Sequence, residues 1–166
     1  PETELFDGQQ LLYAGQPVIL KINTTSEAFK QSSVLFEDST IHLTLLMNDH
    51  QKARQILGNW LRERARERII DELNLLSMQR SFEYNRIFIK DQRTRWGSCS
   101  TQGNLSFNWR LVMAPPEVLR YVVAHEVAHL AEHNHGEKFW QIVSELVGDI
   151  AGPKKWLHEH SAELYM

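Results

Sequence analysis

The chain has 166 residues, of which 42% are hydrophobic and 23% charged, and its net charge is -3. That length fits a single domain of roughly 100–200 residues with enough core to fold without cross-links. One cysteine, Cys99, excludes a disulfide scaffold and a cysteine-rich zinc finger, and the negative balance disfavours a generally basic nucleic-acid binder. No apolar run approaches the ~18–20 residues that span a bilayer. The acidic start, Pro1-Glu2-Thr3-Glu4, has neither the basic region nor the apolar core of a signal peptide. The expectation is a cytoplasmic protein with no membrane partner.

The first 50 residues read as strands. Leu11 to Tyr13 and Val18 to Ile22 flank Ala14-Gly15-Gln16-Pro17, a hairpin turn signal. Thr40 to Met47 alternates, with Ile41, Leu43 and Leu45 on one face. From about Gln51 to Met78, Ala53, Leu57, Leu61, Ala65, Ile69, Leu73 and Leu76 recur every three or four residues and form one helical stripe. The arginines of this helix, Arg54, Arg62, Arg64, Arg66 and Arg68, are interleaved with Glu63, Glu67, Asp71 and Glu72. Such interleaving favours a solvated face of i,i+4 charge pairs over a phosphate-contacting patch.

Beyond the helix, Arg86 to Lys90 reads as a short strand. Arg93 to Ser98 and Asn104 to Trp109 read as a hairpin around the polar stretch Cys99 to Gly103. Pro115-Pro116-Glu117 opens a second helix, because proline fits the first turn and an acid there suits the dipole. Val118, Leu119, Val122 and Leu130 supply its apolar side. A third helix is expected over 136–147, with Phe139, Trp140, Val143 and Leu146 inward. After Gly152-Pro153 a short one carries Trp156 and Leu157. Trp96, Phe107, Phe139, Trp140 and Trp156 read as core aromatics. The order predicts an α+β single domain over residues 1–166: a β region with a long helix over 1–80, then a motif-bearing part over 81–166.

Eight histidines are an excess, and His125, His129, His133, His135, His158 and His160 crowd the last quarter. His125-Glu126-Val127-Ala128-His129 lies inside the second helix. Histidines four apart share a helix face and can converge on one ion at about 2.0–2.1 Å. Glu126 flanks that face, where a carboxylate can take a proton from water without ligating the metal. The apolar flanks Val122-Val123-Ala124 and Val127-Ala128 make two unpartnered imidazoles there costly. A catalytic site needs a third ligand and an open position. His133 continues the i, i+4 series, but three such histidines spread over about 12 Å of straight helix. His135 follows Asn134, a residue that tolerates the conformation ending helices, and is the favoured third ligand. Glu145 and Asp149 are the carboxylate alternatives, without a motif around them. The H-E-x-x-H spacing to His135 equals that of metzincins, but Glu132 stands where they place glycine, and the only later methionine is Met166.

Arg95-Trp96-Gly97-Ser98-Cys99-Ser100, Gly103 to Asn108, Tyr121 to Leu130, Asn134-His135-Gly136 and Phe139-Trp140 together resemble the YgjP-like metallopeptidases, zincins related to the SprT-like and WLM families. The motif-rich stretch runs from about Phe88 to Trp156, and the first 80 residues fit in layout. The resemblance implies a zincin-like domain: a small antiparallel or mixed β-sheet, a long backing helix and an H-E-x-x-H helix. It implies Zn2+ held by His125, His129 and His135, with Glu126 as general base and a peptide or protein as substrate. Asn104 to Asn108 reads equally as a substrate-pairing edge strand or as a strand paired on both sides. Cys99 reads as packing rather than a nucleophile, and Arg93, Arg95 and Tyr121 as structural or oxyanion-binding residues in equal measure. The rival functions are a zinc-stabilised SprT-like module that binds DNA or protein, and a metal-dependent hydrolase of a non-peptide amide or ester.

Overall fold

The structure is a computed structural model and describes residues 4–28 and 30–165. Strand β1 (Gln10–Tyr13) turns back into β2 (Gln16–Thr25) through Ala14 and Gly15, both at positive φ (51° and 77°). Two left-handed central residues make the turn that suits the twist of a hairpin. The turn is also an anchor. Its Ala14 and Gly15 N–H groups donate to the carbonyls of Val112 and Met113 at 3.0 and 2.9 Å. A Cβ on Gly15 would lie 2.6–2.9 Å from Pro115 atoms, so only glycine lets the hairpin reach the segment that leads into the motif helix.

A second hairpin joins β3 (Ser33–Glu37) to β4 (Thr40–Leu46), again through two positive-φ residues, Asp38 and Ser39. β2 and β4 pair in parallel, giving the order β1-β2-β4-β3. β3 escaped the sequence reading: in Val34-Leu35-Phe36 only Val34 is half-buried, so no alternation marks it. In β4 the expected face, Ile41, Leu43 and Leu45, is buried.

Helix α1 (Ala53–Gln79) is about 40 Å long at ~1.5 Å per residue. It buries Leu57, Leu61, Ala65, Ile69, Leu73 and Leu76, the predicted stripe apart from half-buried Ala53. At about 1.5–3 kcal/mol for each large side chain, this face rather than intrinsic propensity holds the helix. On its outer side Arg64 pairs with Glu67 at 2.9 Å, and Arg62 reaches Asp91 at 3.7 Å. Both arginines are engaged by acids, but only Arg64 uses an interleaved one, at i,i+3 spacing; Arg62 pairs with Asp91 beyond the helix.

The second sheet consists of β5 (Ile87–Lys90), β6 (Gly97–Cys99) and β7 (Leu105–Asn108) in the order β5-β7-β6. β7 is parallel to β5, antiparallel to β6, and buried at every residue. This decides the open question about Asn104 to Asn108: Leu105 to Asn108 form the central strand, and β5 and β6 are the edges. β6 starts later than expected because the preceding loop is held by a side chain instead of a ladder. Fully buried Asn108 points Nδ2 at the carbonyls of Gln92 (2.8 Å) and Arg95 (3.1 Å), and its Oδ1 accepts from the Arg110 N–H.

Helix α2 (Pro116–His129) begins on proline with Glu117 in its first turn. α3 (Glu137–Val147) ends at Gly148, φ 74°, and α4 (Ala151–His160) follows. α2 packs on α1, α3, α4 and β6, and one cluster of buried apolar side chains runs from Leu11 to Leu164. The α+β class holds, with the strands divided over two sheets. Of the five aromatics expected in the core, Phe107 and Phe139 are fully buried, whereas Trp96, Trp140 and Trp156 are half-exposed. Lys154 lies over the Trp140 ring, His160 stacks on Trp156, and Trp96 packs against the Tyr165 ring. Among the described residues no helix is long and apolar enough to cross a membrane.

Candidate active site

α2 presents His125 and His129 one turn apart. The chain leaves the helix after His129, and a turn through Glu132 brings His135 back against them. One ligand atom from each of the three lies within 4.8 Å of the others, and the Nε2 atoms of His129 and His135 are 2.9 Å apart. Three imidazoles on one tetrahedral ion at about 2.0–2.1 Å would have nitrogens roughly 3.3 Å apart. The observed spacings bracket that value, so the donor set fits a divalent ion. The Glu132 carbonyl faces His129 Nδ1 at 3.1 Å. A carbonyl only accepts, so Nδ1 carries the proton and Nε2 keeps its lone pair.

The rings rest on an apolar floor. Phe139 of α3, fully buried, lies 4.9, 4.4 and 4.8 Å from the ring centroids of His125, His129 and His135. Burial and the two neighbouring imidazoles hold the His135 pKa below its ordinary value. The ring is therefore neutral, and able to ligate, at a lower pH than a free histidine.

Glu126 is 5% exposed and lies between α2 and β6, with Oε2 3.2 Å from His125 Nδ1. Its seat depends on Gly97. A Cβ there would lie 2.9 Å from Glu126 Cγ, 3.0 Å from Oε2 and 3.2 Å from the Ser106 carbonyl. Two neighbours respond to the carboxylate. Burial and Glu126 push the Cys99 thiol up, which keeps it protonated and fits the packing role over the nucleophile. The same two causes push the Tyr121 phenol up to about 12. Tyr121 sits one turn before His125, ring centroids 6.1 Å apart, and holds its proton across the neutral range.

His133 borders the same cleft of about 300 Å³ but does not belong to the convergent group. Of the carboxylate alternatives, Glu145 pairs with Arg80 at 4.0 Å, and Asp149 accepts from the Gly152 N–H at the start of α4. Two residues of the site escaped the sequence reading. Gly97 carries a signal of its own, since glycine in a strand marks a close approach. Lys154 carries none, because only the fold brings α4 beside Trp140, where its Nζ lies 3.9 Å from the ring centroid.

No curated protein matches the chain. Among solved structures, the metallopeptidase zymogen abylysin of Pyrococcus abyssi is 16% identical, with a TM-score of 0.49 over 57% of this chain and 93% of that one. The metallopeptidase zymogen jannalysin of Methanocaldococcus jannaschii is 21% identical, with a TM-score of 0.45 over 61% of this chain and 97% of that one. A family model described as "YgjP-like, metallopeptidase domain" matches residues 1–160. The chain belongs to the YgjP-like metallopeptidases and is a metal-dependent hydrolase.

Proposed function

We propose that the chain is a zinc peptidase in which His125, His129 and His135 hold the ion and Glu126 is the general base. The observation that carries this is the convergence of three imidazoles beside one buried carboxylate. A zinc ion bound there supplies a Lewis acid that polarises a carbonyl and lets water ionise near neutral pH. Glu126 takes the proton as the water attacks and returns it to the leaving amine. The hydrogen bond to His125 Nδ1 and the floor of Gly97 fix the carboxylate for both transfers. β6 offers its free edge beside the cleft, since among the described residues only β7 pairs with it. An extended peptide can add there through main-chain hydrogen bonds, which give affinity with little sequence selectivity. The continuous core supports reading residues 1–166 as one domain.

The ligand assignment is tested by elemental analysis with a peptidase assay. Wild type and His133→Ala should hold one zinc per chain and cleave a denatured protein. His135→Ala should lose both metal and cleavage. Retention of zinc by His135→Ala together with its loss from His133→Ala would move the third ligand to His133.

A further inference from the structure

A second depression of about 280 Å³ adjoins the histidine cluster on the α4 side, against Glu126 and His125. Its inner surface is apolar: Val122 and Leu157 are buried, and Trp96 and Tyr121 complete the wall. Its two cations, Arg95 and Lys154, are exposed and stand at the mouth. Among the described residues neither has a carboxylate at ion-pair distance, whereas Arg62, Arg64, Arg80, Arg110 and Arg120 all do. Lys154 is held in place over the Trp140 ring. Arg95 also borders the histidine cleft, so the slot and that cleft share a rim.

A ligand here meets opposite demands at its two ends. The wall favours an apolar body about the size of one side chain. Glu126 at the inner edge repels an anion, and the mouth attracts one. We propose that the slot receives one residue of the substrate beside the bond to be cut, with its apolar body on Trp96, Val122 and Leu157 and a carboxylate on Arg95 and Lys154. This rests on the peptidase reading and adds a substrate class to it: peptides that carry a carboxylate at that residue. The carboxylate can be the chain terminus of a bulky C-terminal residue or the side chain of an internal acidic one.

The test is calorimetric binding to the zinc-loaded protein of three probes: N-acetylphenylalanine, its amide, and N-acetylglutamic acid α-amide. At least one acid should bind about tenfold more tightly than the phenylalanine amide, the usual scale for a charge-assisted contact. Arg95→Met and Lys154→Met should each remove most of that advantage, read as the ratio of acid to amide affinity. A preference for N-acetylphenylalanine assigns the terminal carboxylate, and a preference for the glutamic acid probe assigns the side chain. Equal binding of amide and acids overturns the proposal. So does an acid preference that survives both variants, since the metal alone would then hold the carboxylate. The assay reads binding and not turnover. Acid-selective binding in a protein that cleaves no peptide would refute the peptidase reading and leave the slot's chemistry standing.

Discussion

Gly97→Ala separates the position of Glu126 from its chemistry. The substitution adds one methyl group, and Gly97 has no positive φ, so the backbone accepts alanine. The new Cβ would lie 2.9 Å from Glu126 Cγ, while carbon atoms are at rest about 3.5–4.0 Å apart. Between about 0.6 and 1.1 Å must be found. Retreat of β6 is opposed by its pairing to β7 and by the Ser106 carbonyl, 3.2 Å from the same Cβ. The carboxylate side chain therefore moves. Overpacking of this kind costs about 1–3 kcal/mol, read as a lower urea midpoint. A misplacement of 1 Å costs catalysis about 100-fold, so a shift of this size predicts a fall in kcat of roughly 10–100-fold. Zinc content should not change, because the three atoms nearest the new Cβ belong to Glu126 and Ser106 and none to an imidazole. A folded Gly97→Ala protein with full zinc and wild-type kcat would refute the idea that the seat of Glu126 on β6 sets the rate.

Asn108→Ala removes a fully buried amide that serves two carbonyls and one N–H. It should cost about 2 kcal/mol in chemical denaturation, since the Arg95 carbonyl and the Arg110 N–H lose this partner while the Gln92 carbonyl keeps the Tyr165 hydroxyl. Tyr121 predicts an alkaline limb in the stability of the metal-free chain. Its folded pKa of about 12 lies above the unfolded value near 10, so the stabilisation is complete below pH 10 and is lost as pH rises from 10 to 12. Tyr121→Phe should flatten that limb by about 2 kcal/mol between pH 9 and 12 in urea titrations, and identical limbs would contradict the shift.

Much of this architecture is legible because single residues carry periodic signals. The stripe of α1, the face of β4 and the convergence of His125 with His129 follow from spacing alone. The placement of His135 follows from where a straight helix can no longer bring a ligand back. What escapes the sequence is tertiary. The Asn104–Asn108 strand reads the same whether it sits at an edge or in the centre, because burial on both sides depends on what β5 does 15 residues earlier. Lys154 looks like any surface lysine until α4 packs on α2. Gly97 marks a close approach on its own, but only the fold shows that Glu126 is what presses against it.

In the proposed mechanism Glu126 moves the proton while the histidines hold the metal. Glu126→Gln, assayed for zinc content and for cleavage of a denatured protein in the same preparation, separates the two roles. The expected result is stoichiometric zinc with a loss of proteolysis of at least about 100-fold, the scale of general-base catalysis. Cleavage by the zinc-loaded variant at the wild-type rate would contradict it.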